Sequence, residues 1–199
     1  MAEALAASHD DHHYTATGIP SWKVGFWAFL GSECLFFGSL ITTYMVYKGR
    51  SVEGPYTQEI LNIPLTTFST FVLLMSSLSM VLALDGVQRA SKKLTLFWLG
   101  GVIVMGLIFL GAQVYEFWEF VHHGLTLQQN LFGSSFFVLT GFHGAHVTVG
   151  IIWMITLFVM ALRDKLPPSR ALSVEIAGLY WHFVDIVWIV IFVLVYLIQ

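Results

Sequence analysis

Apolar residues along this chain gather in five long runs that are separated by short polar connections. Each run is long enough to cross a hydrocarbon core of about 30 Å at a helical rise of about 1.5 Å per residue. No run alternates apolar and polar positions as a barrel strand would. The pattern predicts five transmembrane helices, over residues 24–47, 64–84, 94–115, 132–162 and 176–198.

Composition supports the same class of protein. Hydrophobic residues make up 57% of the 199 positions and charged residues only 11%, which exceeds what a soluble domain of this size needs. The formal net charge of −3 gives no indication of a nucleic-acid partner. The chain is therefore predicted to be an all-α integral membrane protein, built as a bundle of five transmembrane helices.

The first 21 residues differ from the rest because they contain no apolar run. Their His9–His13 tract could bind a metal adventitiously, but its polar composition is typical of a solvated, flexible tail. We predict such a tail over residues 1–21 and a single five-helix membrane domain over residues 22–199.

Basic residues are distributed unevenly between the two sides of the predicted bundle. One side holds Lys48 and Arg50. The other side, made of the N-terminal flank and the second and fourth connections, holds Lys23, Arg89, Lys92, Lys93, Arg163, Lys165 and Arg170. Short loops rich in lysine and arginine stay in the cytoplasm. The asymmetry predicts a cytoplasmic N-terminus and a C-terminus outside.

Glu33 is the acidic residue of the first apolar run. It lies about 15 Å along the predicted helix from Lys23, close to the middle of the bilayer. An acid at that depth is a functional candidate by default. Two interpretations stay open: a proton-linked or conformational carboxylate, and a hydrogen-bonded device for helix packing.

Polar residues also cluster at the outer end of the third predicted helix. They are Gln113, Glu116, Glu119, His122 and His123. Aromatic neighbours there favour a position at the headgroup interface. An outward-facing metal site is the alternative, although the spacing matches no known metal motif.

The fourth and fifth predicted helices carry histidines and an acid at intervals of three residues. His143 and His146 share one helical face, and His182 and Asp185 share another. These four residues could form a metal centre, or two of the histidines could bind a haem iron. Pairing between helices needs fewer assumptions, because an aspartate within a span costs about 2.5–3.5 kcal/mol and requires a partner. His146 is the first candidate partner for Asp185.

Small residues on two helices indicate where backbones approach one another. They are Gly101, Gly106 and Gly111 on the third predicted helix, and Gly141, Gly144 and Ala145 on the fourth.

Several motifs, in order on successive helices, resemble subunit III of the haem–copper respiratory oxidases. They are Gly31-Ser-Glu-Cys-Leu-Phe-Phe37, Gln113 with Tyr115-Glu116, Gly133-Ser-Ser-Phe-Phe137, Thr140-Gly-Phe-His-Gly-Ala-His146-Val and Tyr180-Trp-His-Phe-Val-Asp-Ile-Val-Trp188. The resemblance runs from about Trp22 to the C-terminus. It implies the short, five-helix bacterial form of the family, in the bacterial plasma membrane.

The resemblance also implies a function for the chain within a larger enzyme. Members of the family bind no haem or copper; those centres lie in partner subunits I and II of a complex that reduces O2 to water and pumps protons. Subunit III packs on subunit I, binds phospholipid and supports proton uptake and stability. Glu33 matches the family's intramembrane carboxylate, while Glu116, His143, His146, His182 and Asp185 are expected to form a structural polar network.

The electron donor to such a complex is either cytochrome c or quinol. The Tyr180-Trp181 pair favours the cytochrome c branch. Two other functions compete: an autonomous membrane metal or haem protein using His143, His146 and His182, and a small transporter using Glu33. The five runs show no inverted repeat, which counts against a transporter.

Overall fold

The computed structural model describes residues 18–48, 62–122 and 131–198. Five long helices carry the fold. They are α1 (Ser21–Tyr47), α2 (Ile63–Gln88), α3 (Lys92–His122), α4 (Leu131–Leu162) and α5 (Ala171–Phe192). A 3₁₀ turn, Pro168–Arg170, leads into α5, and a π-helical turn, Val193–Leu197, continues it.

All five predicted transmembrane helices are confirmed, since each is long and apolar enough to cross a membrane. Several predicted ends fall short of the observed helices, most of all at the end of α3 and the start of α5. Helix α3 continues to His122, and α5 begins at Ala171. Polar residues such as Glu116 and Glu119 end an apolar run, but they leave the backbone hydrogen bonds of the helix intact. A helix can therefore extend beyond the apolar run that predicts it.

The helix ends are held by local hydrogen bonds. Asn62 Oδ1 accepts from the Leu65 amide (3.3 Å), and Pro64 occupies the first turn of α2, where a missing N–H costs nothing. Between α2 and α3, the Ser91 amide bonds to the Gly86 carbonyl (2.9 Å) and closes the turn tightly.

Lysine side chains make contacts at both ends of the bundle formed by residues 37–198. The Lys92 ammonium contacts Asp164 (2.7 Å) and the Leu162 carbonyl (2.9 Å), so the α2–α3 turn and the α4–α5 connection lie together. At the opposite end of α5, Lys48 donates to the carbonyls of Leu194 (3.2 Å) and Ile198. Desolvation by burial lowers the pKa of Lys48.

The chain divides into two compact units, Met1–Phe36 and Phe37–Gln199. In the first unit, the structure describes residues 18–36, which contain the first part of α1. The second unit contains the rest of α1 and helices α2 to α5. Residues 1–17 of the predicted tail lie outside the described residues, and the division into residues 1–21 and 22–199 stays a prediction.

Within the second unit, α2 places several hydroxyl residues in the interior and several large apolar residues on its outer surface. Phe68 and Leu78 are 60% and 55% exposed, as suits side chains in contact with lipid. Thr66, Thr70 and Ser76 on the same helix are buried. Hydroxyl groups therefore share the interior with apolar residues such as Leu73 and Met80, while apolar side chains can also face outward, because lipid is as apolar as the core.

Two large indole side chains, Trp181 and Trp188 of α5, fill the interior. Trp181 lies against Gly106 of α3 and Gly150 of α4. A Cβ atom on Gly150 would come within 2.7 Å of the Trp181 ring, and one on Gly106 within 3.0 Å. The absence of side chains at these two positions creates the space for the indole.

The predicted small-residue patches are therefore correct only in part. Gly106 and Gly144 are in close contact with side chains of another helix. Gly111 and Gly141 are wrong as packing positions, since an added Cβ would meet nothing within 4 Å, and Ala145 is exposed. Gly150, which the sequence pattern did not single out, makes the tightest approach to the Trp181 ring.

Candidate polar sites within the helix bundle

Helices α2 and α5 are joined by side-chain hydrogen bonds along their antiparallel interface. Trp181 Nε1 donates to Ser76 Oγ (2.8 Å), and Trp188 Nε1 donates to Thr70 Oγ1 (2.9 Å). The two hydroxyls donate in turn to backbone carbonyls of α2. Each indole N–H buried by the fold thus has an acceptor, as buried polar groups require.

His182, Ser77 and Asp185 form a second set of bonds at the same interface. The Ser77 hydroxyl donates to Asp185 Oδ2, and His182 Nδ1 lies 3.0 Å from Ser77 Oγ. The single proton of Ser77 is used by Asp185, so His182 Nδ1 carries the proton of the second bond. Asp185 is buried, and its Oδ1 atom accepts no hydrogen bond from the described residues.

The predicted pairing of Asp185 with His146 is wrong. His146 Nδ1 lies 2.7 Å from the carbonyl of Phe142, in its own helix α4. Its backbone carbonyl accepts from the Tyr180 hydroxyl (3.0 Å), which joins α4 to α5. The hydroxyl of Ser77 on α2 satisfies Asp185 instead.

His143 lies apart from the other three residues and is fully buried. Its ring stacks on Trp188 with centroids 4.8 Å apart and meets the edge of Phe109 at 5.8 Å. Neither ring nitrogen has a hydrogen-bond partner among the described residues. His143 therefore acts as an aromatic core residue in this structure.

Glu116 of α3 is bound between hydroxyls from two other elements. The Thr66 hydroxyl of α2 contacts Glu116 Oε1, and the Tyr196 hydroxyl of the π-helical turn donates to Oε2 (3.2 Å). All three residues are buried. The carboxyl thus connects α2, α3 and the end of α5.

Gln113 and Glu116 face the interior of the bundle, with exposed fractions of 6% and 3%, and their position at the headgroup interface stays a prediction. Gln113 Nε2 donates to the Thr140 carbonyl (2.8 Å) and joins α3 to α4. His122 at the end of α3 is exposed, with Nδ1 2.9 Å from the carbonyl of Trp118. His123 lies outside the described residues.

Glu33 lies on α1 within the first unit and is half-buried. The proton-linked and packing interpretations of this carboxylate both stay predictions. Cys34, its neighbour and the only cysteine of the chain, is exposed.

The four histidine and aspartate positions do not converge on one centre. Within residues 18–48, 62–122 and 131–198, no three His, Cys, Asp or Glu side chains form a group that could hold a metal ion. His143 stacks on Trp188, His146 bonds within α4, and His182 and Asp185 meet at Ser77.

Sequence reasoning missed the residues that complete these sites, namely Thr66, Thr70, Ser76, Ser77 and Tyr196. A signal was present in α2, where hydroxyl residues recur at intervals of three, four and seven positions along an otherwise apolar run. That spacing places hydroxyls on one face of a helix. Identifying their partners needs the pairing of α2 with α5.

Five apolar helices whose internal polar side chains join one helix to another define a multi-pass membrane protein. The model of one family, "Cytochrome c oxidase subunit III", matches residues 4–199. The chain belongs to this family.

Individual relatives agree with the family match. The chain is 40% identical over 177 residues to the probable quinol oxidase subunit 3 of Staphylococcus saprophyticus, which covers 88% of each chain. It is 39% identical over 174 residues to the cytochrome c oxidase subunit 3 of Bacillus sp. PS3, which covers 87% of this chain and 84% of the relative. The quinol oxidase subunit 3 of Bacillus subtilis is also 39% identical, with coverage of 87% and 85%. The fold and these relatives identify a bacterial membrane protein.

Proposed function

We propose that this chain is the non-redox subunit III of a proton-pumping terminal oxidase that reduces O2 to water in aerobic electron transport. The observation that carries the proposal is the family match, which extends over nearly the whole chain. The relatives named as subunits of such oxidases cover the same length. In this role the chain packs on subunit I, and haem and copper belong to subunits I and II.

The polar contacts support a structural role for this subunit. Glu116, His182 and Asp185 take part in bonds between helices, His146 does so through its carbonyl, and His143 fills the core. None of these contacts brings together three side chains that could bind a metal ion. The bonds stabilise a rigid surface on which a partner subunit can assemble.

Phospholipid binding and support of proton uptake belong to the same proposal. The large outward-facing apolar surface suits acyl chains, and Glu33 is the candidate for a proton-linked carboxylate. Mass spectrometry of the purified complex should find retained phospholipid. Replacing Glu33 by Gln should slow proton pumping during sustained turnover more than it slows initial O2 reduction. Equal rates of proton pumping in the variant and the wild type would contradict this role of Glu33.

Cytochrome c is the proposed electron donor, and quinol is the alternative. The Tyr180-Trp181 pair supports cytochrome c, whereas the relatives carry both names at similar identity. The two donors are distinguished by subunit II of the purified complex. A CuA centre there is expected; its absence, together with oxidation of quinol, would assign the chain to a quinol oxidase.

Affinity purification through this chain tests the proposal as a whole. We expect a haem-containing subunit I to co-purify in stoichiometric amount, with the absorption spectrum of a terminal oxidase. The chain purified apart from its partners should carry no haem or metal. Haem or metal retained by the separated chain would instead favour an autonomous metal or haem protein using His143, His146 and His182.

Replacing Asp185 by Ala should reduce assembly rather than the chemistry at the redox centres. The substitution leaves the hydroxyl of Ser77 without its acceptor, at a cost of about 1–3 kcal/mol. Blue-native electrophoresis of the complex and turnover per haem measure the two effects separately. Full assembly with lost turnover would contradict the structural role.

A further inference from the structure

A groove on the surface of α2 and α5 ends at His182. It has a volume of about 180 Å3 and is lined by apolar side chains of both helices together with Glu175 and His182. Glu175 precedes His182 by two helical turns, about 10 Å along α5 toward the end that carries Arg170. The groove is large enough for water molecules, at about 10–15 Å3 each, and Glu175 and His182 are the polar side chains of its lining that can hydrogen-bond to them.

His182 stands between this groove and a buried acid. His182 lines the groove, and its Nδ1 is bonded to Ser77 Oγ, whose hydroxyl is bonded to Asp185 Oδ2. His182 is half-buried, whereas Asp185 is 3% exposed. The three side chains thus form a continuous hydrogen-bonded path from the groove to the interior.

We propose that His182, Ser77 and Asp185 form a proton-loading site, in which a proton from the groove is stored on Asp185. The proton binds at Nε2 of His182. The Nδ1 proton then passes to Ser77 Oγ as the hydroxyl proton of Ser77 passes to Asp185 Oδ2. The products are a neutral His182 protonated at Nε2, an unchanged serine and a neutral Asp185 carboxylic acid.

The environment of Asp185 favours storage of a proton there. Its Oδ1 atom is buried and receives no hydrogen bond from the described residues, an arrangement that is costly for a carboxylate and milder for a neutral acid. Reversal of the bond directions at Ser77 converts one state into the other without moving any heavy atom across the interface.

The other titratable groups on the elements around α5 do not bond to Asp185. His143 of α4 stacks on Trp188, and His146 of the same helix bonds to Phe142. Glu116 of α3 is occupied by hydroxyls of Thr66 and Tyr196. Ser77 is the one hydrogen-bond partner of Asp185 within the described part of Phe37–Gln199, so proton exchange at Asp185 should run through it.

Infrared difference spectroscopy of the membrane complex purified through this chain tests the proposal. We expect a carboxylic-acid carbonyl band that is lost in Asp185→Asn and that shifts when H2O is replaced by D2O. In Ser77→Ala and in His182→Gln the band should shift about 100-fold more slowly than in the wild type. This factor is at the lower end of the rate enhancement that a positioned proton-transfer group contributes. His182→Gln keeps a donor for Ser77 but cannot carry the proton.

Ser79→Ala is the matched control, since Ser79 is a hydroxyl of the same helix that bonds only to the Met75 carbonyl. Its exchange should equal that of the wild type. A wild-type exchange rate in either assembled test variant would overturn the proposal, and so would the lack of any Asp185 acid band in the intact complex. If Ser77→Ala fails to assemble, His182→Gln decides alone. The result does not depend on which electron donor serves the complex.

Discussion

Glu116 is held in the interior by hydroxyl groups rather than by a positive charge. Thr66 and Tyr196 contact one carboxyl oxygen each, and both come from other elements of the bundle. Hydroxyl groups can serve an amide as well as a carboxyl group, because one hydroxyl can donate to the amide oxygen while the oxygen of the other accepts from the amide NH2 group. The contacts therefore favour a packing role for Glu116 over a role that needs its charge.

We expect Glu116→Gln to be tolerated and Glu116→Leu to destabilise the protein. Leucine leaves the two buried hydroxyls without this acceptor, at a cost of about 1–3 kcal/mol, reduced toward about 0.6 kcal/mol if they find other partners in the membrane. Thermal unfolding of the purified complex measures the difference. If glutamine proves as damaging as leucine, the carboxyl group itself is required.

Lys48 caps the C-terminal end of the last helix by donating hydrogen bonds to two carbonyls there. A cation near a helix C-terminus satisfies carbonyls that lack intrahelical partners. In Lys48→Met we expect faster hydrogen exchange at the amides of residues 193–198, with little change elsewhere. Lys48→Arg keeps the donors and should exchange like the wild type. Uniform protection in both variants would show that the lysine does not stabilise this end.

At the scale of the helices, close approach around Trp181 decides how α3, α4 and α5 pack. Gly150 and Gly106 leave room for the indole, whose N–H then reaches Ser76 of α2. One side chain thus contacts three neighbouring helices. A Cβ at Gly150 would have to displace a ring that is already bonded.

Gly150→Ala should therefore destabilise the bundle by about 1–3 kcal/mol, the usual cost of overpacking. Gly141→Ala is the matched control on the same helix, because an added Cβ there meets nothing within 4 Å. It should be neutral or slightly stabilising, since alanine is the better helix former. Equal melting temperatures for the two variants would mean that the indole moves aside without cost.

The sequence was sufficient to predict each helix, but not to predict which face of the helix points into the bundle. Each helix carries apolar residues on all of its faces, so no hydrophobic stripe distinguishes the side that faces the core from the side that faces the lipid. Ser77 and Leu78 are neighbours in one apolar run, yet the first bonds to Asp185 and the second is 55% exposed to the surroundings. The difference arises from the pairing of α2 with α5.

At the scale of the whole molecule, the basic connections lie together. The Lys92–Asp164 ion pair links the α2–α3 turn to the α4–α5 connection, while Lys48 contacts the far end of α5. Because both connections are rich in lysine and arginine, the positive-inside rule predicts that this side of the bundle faces the cytoplasm. The cytoplasmic N-terminus and the external C-terminus stay predictions.

Reporter fusions test the orientation. Alkaline phosphatase, which is active only outside the cytoplasm, should be active when fused after Gln199 and inactive when inserted between Arg163 and Pro167. Green fluorescent protein at the same positions should give the opposite pattern. Fluorescence from the C-terminal fusion in cells that assemble the protein would contradict the prediction.

By itself, the sequence determined that this chain spans the membrane five times and that an acid such as Asp185 must find a partner there. Length, hydropathy and the cost of burying a polar group act locally, so they can be evaluated along the chain. The tertiary structure decided which partner each polar group takes. Ser77 and Asp185 are 108 positions apart, and only the antiparallel pairing of α2 with α5 brings this hydroxyl, rather than His146, to the carboxyl group.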